Sequence, residues 1–225
     1  MKIFLVIQGV IYMVIVSSDV WYYLSADWSN GIKLFSVFVC FMYLLLTFNR
    51  KSSGFDHLLM IGVIAVTFLA DAILLFTDLL SVGVVVFILV QILYAYRITL
   101  FGQFRSHYRI CIGATMTIVL SSLLIWDGTV IIMAVLLYGV LFLMNLWNLI
   151  IFQTKEWRSL MLFKIGFVFF LICDINVLLF NILPNYGISN LFYEFTRVSM
   201  WFFYLPAQVL LSLSAVIENP KLRLR

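Results

Sequence analysis

Two aspartates, Asp71 and Asp174, stand inside the apolar runs FLADAILLF (68–76) and LICDINVLLF (171–180). An ionised carboxylate in hydrocarbon costs at least about 2.5–3.5 kcal/mol on insertion scales, so such a residue needs a function or a polar partner. Two uses fit. Each aspartate is a structural group bonded to a neighbouring helix, or the two share a polar cavity where they act as acid and base or as a cation site. Other polar residues reach similar depths. Gln91 and Tyr94 fall on one helical face, Tyr138, Asn145 and Asn148 follow at i, i+7 and i+10, and Tyr204 with Gln208 forms an i, i+4 pair. Asn176 lies two residues after Asp174. One such group is usually interhelical glue worth about 0.6 kcal/mol. Spread over five segments, they predict a hydrated pocket. Lys33 and Arg197 are placed to rim it as cations suited to a phosphate. Asp19, near the end of the first segment, is placed to snorkel to water.

Other chemistries lack their residues. The chain has no GxSxG, HExxH or phosphate-binding glycine loop. His57 and His107 sit in or beside polar stretches, and Cys40, Cys111 and Cys173 fall in apolar segments without CxxC spacing. The cysteines read as small buried hydrophobes, and no metal site or cofactor is indicated. Carboxylates are the acid and base that remain.

The elements holding these residues follow from composition. The chain has 225 residues, of which 65% are hydrophobic and 11% charged, and its mean hydropathy is +1.15. A soluble domain is roughly a quarter charged, so a soluble enzyme, a nucleic-acid binder and a disordered linker are excluded. Runs such as GVVVFILV (83–90) are apolar on every side, which favours helices over an alternating outer-membrane barrel. The reading is an all-α, polytopic transmembrane bundle forming one domain over 1–225. Eight spans are expected at about 3–23, 31–48, 57–77, 81–97, 109–126, 129–152, 160–183 and 197–217.

With the N-terminus placed in the cytoplasm, all but two of the 14 Lys and Arg residues fall on the inner side. Lys33 and Arg197 are the exceptions, each near the outer mouth of a span. Both termini are therefore expected inside, in a plasma-membrane protein. Asp71 and Asp174 are in register in spans three and seven, which hints at a four-plus-four parallel repeat. Trp21, Tyr22, Trp28, Trp126 and Trp157 near span ends read as an interfacial aromatic belt.

Taken in order, these residues resemble the YhhN-like, or lysoplasmalogenase, family of integral membrane proteins over most of the chain. Ala70-Asp71 and Cys173-Asp174 resemble the family's Gly-Asp in span three and Ser-Asp in span seven. Lys33 resembles its Lys near the start of span two. Tyr138 and Met144 are similar to its Tyr and Met in span six, and Tyr204 with Ala207-Gln208 to the motif of its last span. Gly83, Phe87, Gln91 and Tyr94 keep the spacing of a Gly, Phe, His, Tyr set, with Gln91 in place of His. Leu34 stands where a Pro often follows the family's Lys.

The resemblance implies hydrolysis of the vinyl ether bond of a lysoplasmalogen, a lysophospholipid drawn from the membrane. The products would be a fatty aldehyde and glycerophosphocholine or glycerophosphoethanolamine. That reaction begins by protonating carbon and passes through an oxocarbenium ion captured by water, a division of labour that two carboxylates can share. Asp71 and Asp174 would be the catalytic pair. Gln91 and Gln208 would position water, Lys33 and Arg197 would hold the phosphate, and Tyr94, Tyr138, Asn145 and Tyr204 would line the substrate. A secondary transporter or lipid translocator using the same aspartates, and a non-catalytic lipid-binding relative, remain alternatives at this stage.

Overall fold

Apolar stretches of 20 residues and more satisfy their backbone polar groups internally only by coiling. Each one that the computed structural model describes is an α-helix. The described residues are 1–21, 24–48, 54–101, 129–151, 158–182 and 190–217. They form α1 (Lys2–Trp21), α2 (Ala26–Thr47), α3 (Phe55–Phe76), α4 (Leu80–Phe101), α5 (Thr129–Ile151), α6 (Arg158–Ile182) and α7 (Asn190–Val216). All seven are long and apolar enough to cross a membrane. The span expected at 109–126 lies outside the described residues.

Contacts group the helices into two units. In the first, α6 and α7 pack along each other, while α1, α2 and α7 form three mutual interfaces. Gly166 allows the α6–α7 approach: a methyl group there would stand 3.0 Å from Leu211 Cγ, 3.1 Å from Leu210 Cβ and 3.2 Å from the Ala207 carbonyl oxygen. Close packing of this kind is what holds helices together in lipid, where apolar burial supplies no net drive. Ile11 and Ile15 of α1 meet Leu205 of α7 in the three-helix seam, with Tyr12, Ile32, Val39 and Trp201 around them.

Pro206 sits inside α7. Proline brings no N–H, so the Phe202 carbonyl loses its usual intrahelical donor. The Tyr12 hydroxyl of α1 donates to that carbonyl at 3.4 Å instead. A backbone defect is thereby turned into an interhelical tie.

The second unit holds α3, α4 and α5. The α3–α4 connection is tight, with Thr77 capping α3 through its N–H to the Ile73 carbonyl oxygen. Ile88 of α4 packs against Ala134, Leu137 and Leu141 of α5. The two helices whose sequences are alike, α3 and α6, fall one in each unit, where α3 packs on α4 and α6 on α7. The units themselves do not follow the halves of the chain, since the first combines the two opening helices with the last two.

Candidate functional site

In the first unit, ionic groups converge where α1 ends and α2 and α7 begin. Asp19 is only 4% exposed, so it is buried and does not snorkel to water. Its Oδ1 accepts from Lys33 Nζ at 2.9 Å and from Ser29 Oγ at 3.4 Å. Arg197 Nη1 stands 3.9 Å from the same oxygen, and its Nη2 donates to the Asp19 backbone carbonyl. Arg197 Nε also donates to Glu194 Oε2 at 2.8 Å, one turn away on α7. Lys33 is buried with its ammonium 5.0 Å from the centre of the Trp201 ring, a cation–π arrangement. The two cations left unexplained by charge topology therefore share one carboxylate.

Deeper in the same unit, polar side chains line the seam. Gln8 Nε2 donates to the Ser36 carbonyl at 2.8 Å and meets Cys40 Sγ at 3.2 Å. Tyr204 is buried between Trp201 and Phe170, with ring centres 5.1 and 5.8 Å away. Gln208, one turn on, is wholly buried, and neither its Nε2 nor its Oε1 has a hydrogen-bond partner among the described residues. Asp174 lies half-buried on α6 beside buried Cys173. Asn176 is turned back to its own helix, donating to the Ile172 carbonyl at 2.7 Å.

In the second unit, Asp71 is 6% exposed and lies on the buried stripe of α3 with Met60, Val63, Ile64, Thr67 and Ala70. The next two helices share a polar network. Gln91 Nε2 of α4 reaches the Tyr138 hydroxyl at 3.3 Å, and Asn145 Nδ2 donates to Gln91 Oε1 at 3.0 Å and to the Gln91 backbone oxygen at 2.9 Å. Tyr138 and Asn145, seven residues apart on α5, thus grip one glutamine. Tyr94 is buried one turn further along α4. Asn148 bonds its own helix at the Met144 carbonyl and takes no part.

Sequence reasoning passed over an ion pair in this unit. Arg97 is fully buried and binds Asp56 by two hydrogen bonds, Nε to Oδ1 at 2.7 Å and Nη2 to Oδ2 at 2.9 Å. Asp56 stands in the first turn of α3 and Arg97 in the last turns of α4. Among the described residues, no three His, Cys, Asp or Glu side chains are grouped to hold a metal ion.

Apolar helices of membrane-spanning length, with buried carboxylates and amides along their facing sides, define an integral membrane protein of the helical class. Comparison with protein-family models, curated proteins and solved structures finds no match.

Proposed function

We propose that the protein is a membrane-embedded hydrolase of the lysoplasmalogenase type, cleaving the vinyl ether bond of a lysophospholipid, with both termini on the cytoplasmic side of the plasma membrane. The observation that carries this reading is Asp71. It is a carboxyl group on the buried stripe of a membrane-length helix, beside a helix whose Gln91 is fixed by two partners. Asp174, half-buried on the membrane-length helix α6, is the second carboxyl group that the sequence resemblance implies.

The chemistry needs little else. A protonated carboxyl group delivers its proton to the vinylic carbon remote from oxygen, leaving an oxocarbenium ion. A carboxylate stabilises that cation, and water adds to it to give a hemiacetal. Collapse of the hemiacetal breaks the carbon–oxygen bond, releasing the fatty aldehyde and a glycerophospho-alcohol. Water is the only co-reactant. General acid catalysis by a positioned side chain is worth about 10²–10⁴-fold, and electrostatic stabilisation of the developing charge adds to that. Gln91, held by Tyr138 and Asn145, presents an amide whose orientation costs nothing further at the moment of reaction.

The test is aldehyde release by the purified protein in detergent, from 1-alkenyl lysophospholipid beside its acyl and alkyl analogues. Release from the alkenyl substrate alone is expected. Asp71→Asn and Asp174→Asn should each lower it by at least 10²-fold while the protein remains folded. No aldehyde from folded wild-type protein would refute the proposal.

A further inference from the structure

The charges at the end of the first unit balance: Lys33 and Arg197 are cations, and Asp19 and Glu194 are carboxylates. Their hydrogen bonding is lopsided. Asp19 Oδ1 serves Lys33 and Ser29 and faces Arg197, whereas Oδ2 of the same carboxylate is buried and has no hydrogen-bond partner among the described residues. A carboxylate offers about four acceptor positions, and a buried acceptor without a donor is costly wherever water is scarce. Oδ2 therefore marks a place for an N–H or O–H that the described side chains do not provide. Among N–H and O–H donors an ammonium binds a carboxylate most strongly, so an occupant with a phosphate for the two cations and an ammonium for Oδ2 fits both ends of the cluster. A neutral cluster suits such a zwitterion better than it suits a simple anion.

We propose that this cluster binds a zwitterionic phospholipid head group, with the phosphate on Lys33 and Arg197 and the ammonium donating to Asp19 Oδ2. It thereby selects a primary amine, as in ethanolamine, over the quaternary amine of choline. The inference rests on the lysophospholipid reading above and adds head-group choice to it. Trp201 does not discriminate, because a ring face attracts either ammonium. Oδ2 does, because trimethylammonium has no N–H to donate.

The experiment measures calorimetric affinity of the full-length protein for saturated 1-alkyl lysophospholipids, which keep the head group but carry no vinyl ether to cleave. Head groups run from ethanolamine through its N-methyl and N,N-dimethyl forms to choline. Affinity should hold while one N–H remains and fall about tenfold at choline, the loss expected for one hydrogen bond between charged groups. In Asp19→Asn the amide puts a donor where Oδ2 accepted, and the choline step should shrink below twofold. The methylation series needs only the wild-type chain, so a misfolded variant leaves the test intact. A smooth decline, equal affinities, or a choline step that persists in folded Asp19→Asn would overturn the assignment. Selective binding without aldehyde release would overturn the hydrolase and leave the site; aldehyde release without selectivity would do the reverse.

Discussion

The Asp56–Arg97 pair makes the sharpest demand on the structure. Exposed ion pairs contribute about 0–1 kcal/mol, but this one is buried, bidentate and short, at 2.7 and 2.9 Å. Removing one partner of a buried pair typically costs about 3–5 kcal/mol, because the other charge is left in a poor solvent. The two halves should not cost the same. Arginine cannot shed its charge within a protein, so Asp56→Leu strands a permanent guanidinium on the fully buried Arg97. Its cost should lie at the upper end, about 4–5 kcal/mol. Arg97→Met leaves a carboxyl group that can take up a proton. It also leaves Asp56 in the first turn of α3, where the helix dipole favours a negative charge by about 0.3–1 kcal/mol. About 2–3 kcal/mol is expected there.

Replacing both residues removes both charges, and the double variant should return to within about 1 kcal/mol of wild type. Unfolding in mixed micelles of increasing SDS fraction, followed by circular dichroism, gives the four free energies of the cycle. Single substitutions costing under about 1 kcal/mol, or a double variant as damaged as Asp56→Leu, would refute the claim that this pair is desolvated.

The remaining expectations concern packing and the polar network. Gly166→Val should destabilise by about 1–3 kcal/mol, because its side chain meets Leu211, Leu210 and the Ala207 backbone. Gly139→Ala, with nothing within 4 Å of the added methyl, should be neutral or stabilising by up to about 1 kcal/mol in the same assay. Gln91→Leu removes the side-chain partner that Tyr138 and Asn145 share and should cost about 1–3 kcal/mol. Gln91→His, which keeps one donor and one acceptor, should cost less than half as much, and aldehyde release that survives it but not Gln91→Leu would tie the network to turnover.

The positions of the helices were written in hydropathy, but their ends were not. Apolar runs place α2 from about 31 and the last helix from about 197, whereas they begin at Ala26 and Asn190. Hydrophobicity reports where lipid stops, and a helix continues past that level as long as its backbone and first-turn charges, such as Asp27, are satisfied. Arg97 shows the opposite blind spot. Its charge argues for the end of a span, yet α4 runs on to Phe101, because Asp56 lets the guanidinium stay inside the protein. A single-residue scale cannot price a charge whose partner is 41 positions away.

What the sequence did make legible in the polar interior was whatever repeats along one helix. Tyr138 and Asn145 share a face by simple 3.6-residue arithmetic, and the structure has them share Gln91. Pairs between helices needed a second rule. In a helical hairpin, residues at similar distances on either side of the turn come level, which brings Asp56 beside Arg97 across the turn at 77–79. Reading opposite charges outward from that turn would have found the pair. The contact with Asp19 changes the meaning of Lys33: a cation on the wrong side for topology is free to bind phosphate only to the extent that Asp19 releases it. Any ligand of this cluster must therefore compete with a resident carboxylate, so a head group that replaces the lost contact with an ammonium gains more than one that brings phosphate alone.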